Sequence, residues 1–488
     1  MQRKLLFLSF IEGAAVMAAE LCGAKLLAPI FGSSLYVWAS VMGITLFALA
    51  LGYFYGGMLS EKSKDQNKTL LNILIVASLL VLIMPVISYY LVPRISYLPF
   101  TPAVVISTLC LLFFPVFFLG ASSPLFISLQ SNNNISGGKV SGTVYAVSTF
   151  GGILSTFLCG FYLIPELGLN ITMIIFGSLL FIFTLINFKI FKGAQVLIFV
   201  GIAYLNLQFI AKKSNQLFSS DSILGHLEVN DSKINGGVRT LKINDIIQTE
   251  MDKLSGKSVS AYINLLDTLM PSSELQNNAC LPARQALVLG LGGGLTANLL
   301  SQKKYKVTGV EFDERIIEVS KNYFNLDKNI ECVCEDARYY LNHTNKKFDV
   351  VLFDLFKAEE QPSHVLTMES LAQLKNNLKP EAIIYIVWHG YTSAGIGKGS
   401  AILNNTLLNS GFNVKLVSTS KDESFRNIIF VTSLNKNSLE KIANQYLLNE
   451  KLEQTEEVNT DNKPLLEKSN ALANKLWRSN YLKYYQNN

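Results

Sequence analysis

Gln285-Ala286-Leu287-Val288-Leu289-Gly290-Leu291-Gly292-Gly293-Gly294 is the stretch on which the fold of the C-terminal half turns. Ala286 to Leu289 form a short apolar strand, the glycines form a tight turn, and Thr296 to Ser301 continue as a helix. Such a turn lets backbone amides approach a nucleoside or phosphate closely. Strained turns also need glycine, so the motif decides little by itself. Three more strand ends follow it. Val307-Thr308-Gly309-Val310-Glu311 ends in an acid, and Glu311 lies 21 positions after Gly290, an offset at which a carboxylate accepts from ribose hydroxyls. Cys334-Glu335-Asp336-Ala337-Arg338 is a second acidic strand end, and Phe348-Asp349-Val350-Val351-Leu352-Phe353-Asp354 is the third. In an open parallel sheet all of these open toward one crevice beyond the carboxyl ends of the strands. Each acid has a plainer reading. Glu311 could cap a helix starting near Asp313, Asp336 could cap one running to Leu341, and Asp349 suits the start of a strand. Together the four in order predict a doubly wound, nucleoside-binding α/β domain over residues 257–437. No Lys-Ser/Thr follows the glycines, which disfavours an ATPase.

Upstream, His226 to Val229 and Val238 to Ile243 alternate polar and apolar residues around Asn235-Gly236-Gly237, predicting a small antiparallel β unit over 223–256. Ser258 to Met270 reads as a helix and Pro271 to Pro282 as a loop. Downstream, residues 438–488 form a charged tail that reads as solvated helix.

The first 211 residues differ in kind. The 488-residue chain is 50% hydrophobic and only 16% charged, and the apolar content is concentrated here. A span needs about 20 mostly apolar residues. Leu35 to Leu59, Leu70 to Leu91, Ala103 to Leu129, Ser141 to Ile164, Leu167 to Phe188 and Gly193 to Ala211 meet that requirement. Leu5 to Leu27 joins them despite Glu12, Glu20 and Lys25, being too long and too acidic for a signal peptide. The prediction is a transmembrane domain over 1–211 with about seven helices, give or take one. Arg3, Lys4, Lys62, Lys64, Lys68, Lys139, Lys189 and Lys192 favour an internal N-terminus. Seven spans would then put the soluble half outside. A cytosolic soluble half needs an even count, and it is the expectation adopted here.

Glu12 and Glu20 are the acidic candidates in the membrane. One reading pairs Glu20 with Lys25 and lets Glu12 meet water at the N-terminus; the other makes them a site for an organic cation. Gly52, Gly56 and Gly57 suit close helix packing. The net charge of +6 is too small and diffuse for nucleic acid. Cys332 and Cys334 form a lone C-x-C pair without nearby histidines, so no metal is expected.

At these residues the chain resembles the spermidine synthase (polyamine aminopropyltransferase) family, within the class I S-adenosylmethionine-dependent methyltransferase fold. It is more narrowly similar to a bacterial membrane branch with N-terminal spans fused to such a domain. The likeness rests on Leu26 to Ser34, Trp38-Ala39-Ser40, Ala48 to Gly57, Gly120 to Pro124 and Tyr145 to Gly152. In the soluble half it rests on Gln248-Thr249, the glycine turn, the acidic strand ends, Pro362 to Glu369, and Thr460 to Glu467. The fold class it implies is an N-terminal α-helical polytopic membrane domain, a small antiparallel β unit and a C-terminal Rossmann-like, class I methyltransferase-like α/β domain.

The resemblance also implies roles. Gly290, Gly292 and Gly293 would approach a sulfonium nucleoside, Glu311 would hold its ribose, and Asp336 and Ala337 would meet its adenine. Asp354 would orient or deprotonate the acceptor amine. Gln248, Tyr262 and Glu359 are the candidates for binding that acceptor. Two family acids are replaced, by Leu295 after the glycine turn and by Lys357 three positions after Asp354. The leading expectation from the resemblance is aminopropyl transfer from decarboxylated S-adenosylmethionine to a polyamine or related amine, and the two replacements are what keep methyl transfer in view. Methyl transfer from S-adenosylmethionine and organic-cation transport with an accessory soluble domain are the alternatives. The family commonly oligomerises, so a homo-oligomer is expected, with the lipid bilayer of a bacterial cytoplasmic (inner) membrane as the other partner and no nucleic acid.

Overall fold

The computed structural model describes residues 2–31, 35–95, 98, 100–131, 137–188, 193–208, 216–222, 224–232, 237–271, 283–356, 361–440, 442, 444–448 and 450–486. The chain divides into two compact units, Met1–Glu228 and Val229–Asn488.

The first unit is a bundle of α1 (Gln2–Phe31), α2 (Leu35–Lys62), α3 (Gln66–Ile95), α4 (Phe100–Thr108), α5 (Phe114–Gln130), α6 (Gly137–Leu158), α7 (Ile164–Phe188) and α8 (Gly193–Gln208). A π-type turn, Leu109–Phe113, joins α4 to α5, and another, Cys159–Leu163, joins α6 to α7. Among the described residues five helical runs are long and apolar enough to cross a membrane: Arg3–Phe31, Tyr36–Lys62, Gln66–Ile95, Thr101–Gln130 and Gly137–Phe188. The last is broken at Gly168, whose φ of 81° and ψ of 171° are not helical. It thus holds two of the apolar segments read from the sequence. The apolar helix Gln195–Asn206 is shorter. Large apolar side chains such as Phe54, Leu46, Phe161 and Leu197 face outward, a surface compatible with lipid.

Small residues bring these helices together. A Cβ on Gly13 would lie 2.0 Å from the Ser148 carbonyl oxygen, and one on Gly151 would lie 2.1 Å from that of Phe10. The α1–α6 contact therefore depends on both glycines. Gly52 and Gly56 play the same part between α2 and α5, with 2.4 Å to the Phe117 oxygen and 2.3 Å to that of Ala121. Gly57 does not, because nothing lies within 4 Å of its Cβ position. The tight α1–α6 seam also encloses Glu12, which is 2% exposed and accepts a hydrogen bond from Ser148 Oγ at 3.0 Å. The reading in which Glu12 meets water at the chain terminus is corrected accordingly. Glu20 is half-buried and Lys25 buried.

Strands β1 (Gln216–Ser222) and β2 (Gly225–Asp231) follow, and the division between the units falls inside β2. In the second unit β3 (Val238–Ile243) and β4 (Ile246–Asp252) form an antiparallel hairpin. Asn244 and Asp245, at φ 50° and 64°, supply its two-residue turn. Asn235 and Gly236 lie outside the described residues.

After α9 (Ala261–Leu269) comes a seven-stranded sheet. Its members are β5 (Gln285–Leu289), β6 (Lys306–Glu311), β7 (Glu331–Cys334), β8 (Phe348–Phe353), β9 (Leu378–His389), β10 (Asn413–Ser418) and β11 (Asn427–Ser433). They lie in the order β10-β11-β9-β8-β5-β6-β7. The five strands from β9 to β7 are parallel, and β11 runs antiparallel to both β9 and β10. This is the Rossmann-like, methyltransferase-like domain expected from the sequence. Helices α10 (Leu295–Gln302), α11 (Glu314–Tyr323), α12 (Ala337–His343), α13 (Met368–Lys375) and α14 (Lys398–Asn409) connect the strands. Two apolar clusters form the core, one holding Leu287, Leu289, Val351 and Trp388, the other Ala286, Val288, Leu352 and Tyr385. Alternate residues of each strand thus feed different clusters, as a sheet buried on both faces requires.

The charged tail is not simply solvated. Its helix α15 (Leu466–Gln486) buries Leu466, Asn470, Ala473, Asn474 and Arg478. These recur at three- and four-residue spacing, so they form one stripe. The stripe is rich in Asn and Arg, which is why it reads as polar surface.

Candidate functional site

The chain runs from β5 to β6 and β7 on one side, then returns to β8 on the other side of β5. Ligands of open α/β sheets sit where the strand order reverses in this way, here between the ends of β5 and β8. Asp354 N donates to Leu289 O at 2.9 Å, so the last residue of the Phe348-to-Asp354 motif is tied to the strand that carries the glycine turn. Gly290, Gly292 and Gly294 have φ of 87°, 51° and 76°, backbone that favours glycine. At Gly290 a side chain is also excluded by space, because a Cβ would lie 2.2 Å from Asp354 O. Gly293 N donates to Thr249 Oγ1 at 2.8 Å. Strand β4 therefore fixes the turn, through a residue next to Gln248.

Glu311 ends β6 beside the turn. Its Oε2 accepts from Leu291 N at 3.0 Å, and Oε1 accepts from Phe312 N at 2.8 Å and Asp313 N at 3.1 Å. Three amides leave part of the carboxylate's acceptor capacity over. Burial raises its pKa, against the pull of those amides. The helix cap is Asp313, which accepts from Arg315 N, and not Glu311. Asp336 does cap its helix, accepting at Oδ1 from Arg338 N at 2.9 Å and Tyr339 N at 3.0 Å. Its other oxygen lies 3.2 Å from His364 Nε2. Burial works to raise the Asp336 pKa, but the Tyr339 amide, His364 and the Arg338 amide outweigh it and hold the carboxyl below the ordinary range. Ala337 is buried at the first turn of α12.

Asp354 is the most perturbed acid of this edge. Burial pushes its pKa up to about 7, although Tyr262 Oη donates to Oδ2 at 3.0 Å and opposes the rise. The Tyr262 phenol is held well above its ordinary value, by burial first and then by the neighbouring carboxylate. Gln248 turns its side-chain amide back to Ile246 O at 3.4 Å. Leu295 is buried at the first position of α10. Asp349 accepts from Gln285 N and Lys379 Nζ, both at 2.7 Å, at the opposite end of the strand from Asp354. Glu359 and Lys357 lie outside the described residues. Among the described residues no group of three His, Cys, Asp or Glu side chains is placed to hold a metal ion.

The structure thus places the Gly290, Gly292, Glu311, Asp336 and Asp354 positions along one sheet edge, with Tyr262 on the acid at its centre. Thr249 and His364 add to the edge. Both lie in stretches that carry the resemblance, Gln248-Thr249 and Pro362 to Glu369, but neither carries a role that the sequence alone assigns.

Residues 275–390 match the spermine/spermidine synthase domain. The chain is 26% identical to a probable polyamine aminopropyl transferase of Bifidobacterium longum, over 40% of this chain and 42% of that protein. It is 24% identical to polyamine aminopropyltransferase 2 of Aquifex aeolicus, over 77% of this chain and 76% of the relative. Among solved structures, a spermidine synthase from Thermotoga maritima aligns with a TM-score of 0.36 and 15% identity, covering 54% of this chain and 89% of that one.

Proposed function

From the match of residues 275–390 to the spermine/spermidine synthase domain, we propose a membrane-bound transferase that moves an aminopropyl group from decarboxylated S-adenosylmethionine to a polyamine or related amine. The observation that carries the reading is Asp354, a carboxyl raised to about 7 at the switch point of the sheet and held by Tyr262. A group with that pKa is poised to accept a proton at neutral pH.

The donor's sulfonium already makes the adjacent carbon electrophilic, so the protein's work is positioning and proton acceptance. The amine nitrogen attacks the propyl carbon on sulfur and a C–N bond forms. The C–S bond breaks, and its electron pair stays on sulfur as the neutral thioether methylthioadenosine. The proton lost by the new ammonium passes to Asp354. Gly290, Gly292 and Gly293 bring backbone to the nucleoside, Glu311 takes a ribose hydroxyl with its remaining acceptor capacity, and Asp336 and Ala337 face the adenine. Gln248, Tyr262 and Glu359 are assigned to the acceptor. The helical half anchors the enzyme in a bacterial cytoplasmic membrane, with the soluble half on the cytosolic side and subunits free to associate.

The buried Leu295 favours a second reading, methyl transfer from S-adenosylmethionine, because an apolar residue stands where the aminopropyltransferases keep an acid. A third, organic-cation transport, is favoured by the enclosed Glu12. One experiment separates the first two: purified full-length protein in detergent is given each donor with mixed polyamines, and the nucleoside product is identified by mass spectrometry. Methylthioadenosine with a lengthened polyamine supports the proposal, and S-adenosylhomocysteine replaces it with methyl transfer. Neither product, with polyamine uptake into vesicles lost in Glu12→Gln, would replace it with transport.

A further inference from the structure

Helix α15 reaches the acceptor side of the Asp354 edge at several points. Phe356, two residues beyond Asp354, packs on His389 at the end of β9 with ring centroids 5.1 Å apart. His389 stacks on Trp477 of α15 at 4.5 Å and 24°, and Trp477 stacks on Tyr481 at 5.1 Å and 18°. Four rings therefore run from Phe356 into the C-terminal helix. Trp477 stacks on two of them, so this indole is a support and not a docking face for a cation.

The same helix also holds Gln361. Asn470 Nδ2 donates to Gln361 Oε1 at 3.3 Å, and Gln361 lines a small cavity with Phe353, Leu355, Pro362, Ile386 and Val387. Asn470 is itself fixed. It donates to Asn474 Oδ1 at 2.9 Å, and a Cβ on Gly399 of α14 would lie 2.6 Å from its Oδ1. Along the rest of its length α15 holds the hairpin, since Tyr481 Oη accepts from Ile247 N at 2.9 Å and Arg478 Nη2 donates to Asn244 O at 3.2 Å. Ile247 is two residues from Thr249, the acceptor of the Gly293 amide.

We infer that Trp477, through His389 and Phe356, and Asn470, through Gln361, are positioning residues that set the place of Asp354 in the transferase site. The inference rests on the aminopropyl-transfer reading. Neither side chain touches a reacting atom. Phe356 lies two positions after Asp354, and Gln361 lines a cavity with Phe353 and Leu355, the residues on either side of Asp354, so both contacts bear on the proton-accepting carboxyl.

The test uses full-length protein in detergent carrying Trp477→Ala, Trp477→Phe or Asn470→Ala. Donor affinity is measured by calorimetry with decarboxylated S-adenosylmethionine. Acceptor KM and kcat are measured by methylthioadenosine release with putrescine and with spermidine. Misplacement of Asp354 predicts that Trp477→Ala loses about 10- to 100-fold in kcat/KM for the acceptor. Its donor Kd stays within about twofold, which also reports an intact fold. Trp477→Phe, which keeps a ring between His389 and Tyr481, recovers most of the loss, and Asn470→Ala shows a smaller loss of the same kind. An unchanged acceptor kcat/KM in Trp477→Ala and Asn470→Ala overturns the inference and leaves the transferase reading standing. So does a loss of donor affinity that matches the loss for the acceptor in Asn470→Ala. A wild type that binds neither donor nor acceptor and releases no methylthioadenosine overturns both.

Discussion

Replacing Asp354 by Asn should make the protein more stable and less active, with a gain in stability that depends on pH. A carboxyl raised from 3.8 to about 7 costs the ionised, folded protein about 4 kcal/mol at roughly 1.4 kcal/mol per pH unit. Part of the side chain meets solvent, which screens the charge and reduces the expected figure to about 2 kcal/mol. Below pH 3.8 the group is protonated in both the folded and the unfolded chain and costs nothing. From there to about 7 the unfolded chain has released a proton that the folded protein still holds. Stability therefore falls as pH rises through this window, and the penalty is complete above about 7. Asn carries no such penalty and still accepts from Tyr262 Oη. Melting of wild type and Asp354→Asn in detergent should differ little near pH 4 and increasingly up to neutrality, reaching about 4–8 °C for a domain of this size. Turnover should fall by about 10²- to 10⁴-fold, the usual worth of a general base. A melting difference independent of pH would refute the argument, because it would mean that Asp354 is ionised at its ordinary value.

Three further outcomes follow from the same geometry. Gly290→Ala puts a methyl group against Asp354 O in left-handed backbone; it should cost about 3 kcal/mol and abolish donor binding, read by melting and calorimetry. Thr249→Val leaves the Gly293 amide without its acceptor; it should cost about 1–2 kcal/mol and weaken the donor more than the acceptor. Arg426 is buried and bidentate to Glu450, at 2.9 and 2.6 Å. Glu450→Ala removes the paired carboxylate and leaves that guanidinium only its bonds to Gly390 O, Lys421 O and Thr392 Oγ1 and the more distant Glu423; it should cost about 2 kcal/mol. The Arg426 bond, with Thr392, holds the Glu450 pKa down to about 2. The stability it supplies is thus present above about 4.5 and lost as pH falls toward 2, which acid melts of wild type and variant will show.

The sheet and its edge were legible because their signals are local. An apolar run, glycines and an acid at a strand end lie within a short stretch of chain, and backbone geometry alone sends them to the same crevice. Tyr262 on Asp354 was only half legible, since a helix nearly a hundred positions upstream had to be placed against the strand. Thr249 and α15 were not legible for a related reason. Thr249 is a small polar residue in a hairpin, with nothing local to distinguish it from a solvated one. The α15 stripe is Leu466, Asn470, Ala473, Asn474 and Arg478, too polar to show a hydrophobic face until its partners are known. In the helical half, length and composition gave the apolar runs. The burial of Glu12 depended on Gly13 meeting Ser148 across two helices, a contact that no single segment announces.

The position of α15 in the chain has a temporal consequence. The last strand of the sheet ends at Ser433 and α15 begins at Leu466. A ribosome adding about 5–20 residues per second therefore leaves an interval on the order of seconds between them. During that interval the nascent domain has its glycine turn, Glu311 and Asp354, yet lacks the helix that braces Phe356, Gln361 and the hairpin. On the proposed function, a newborn domain of this kind would hold a nucleoside before it could aim it. Tags or truncations that unseat residues 466–486 would return the mature protein to that unfinished state.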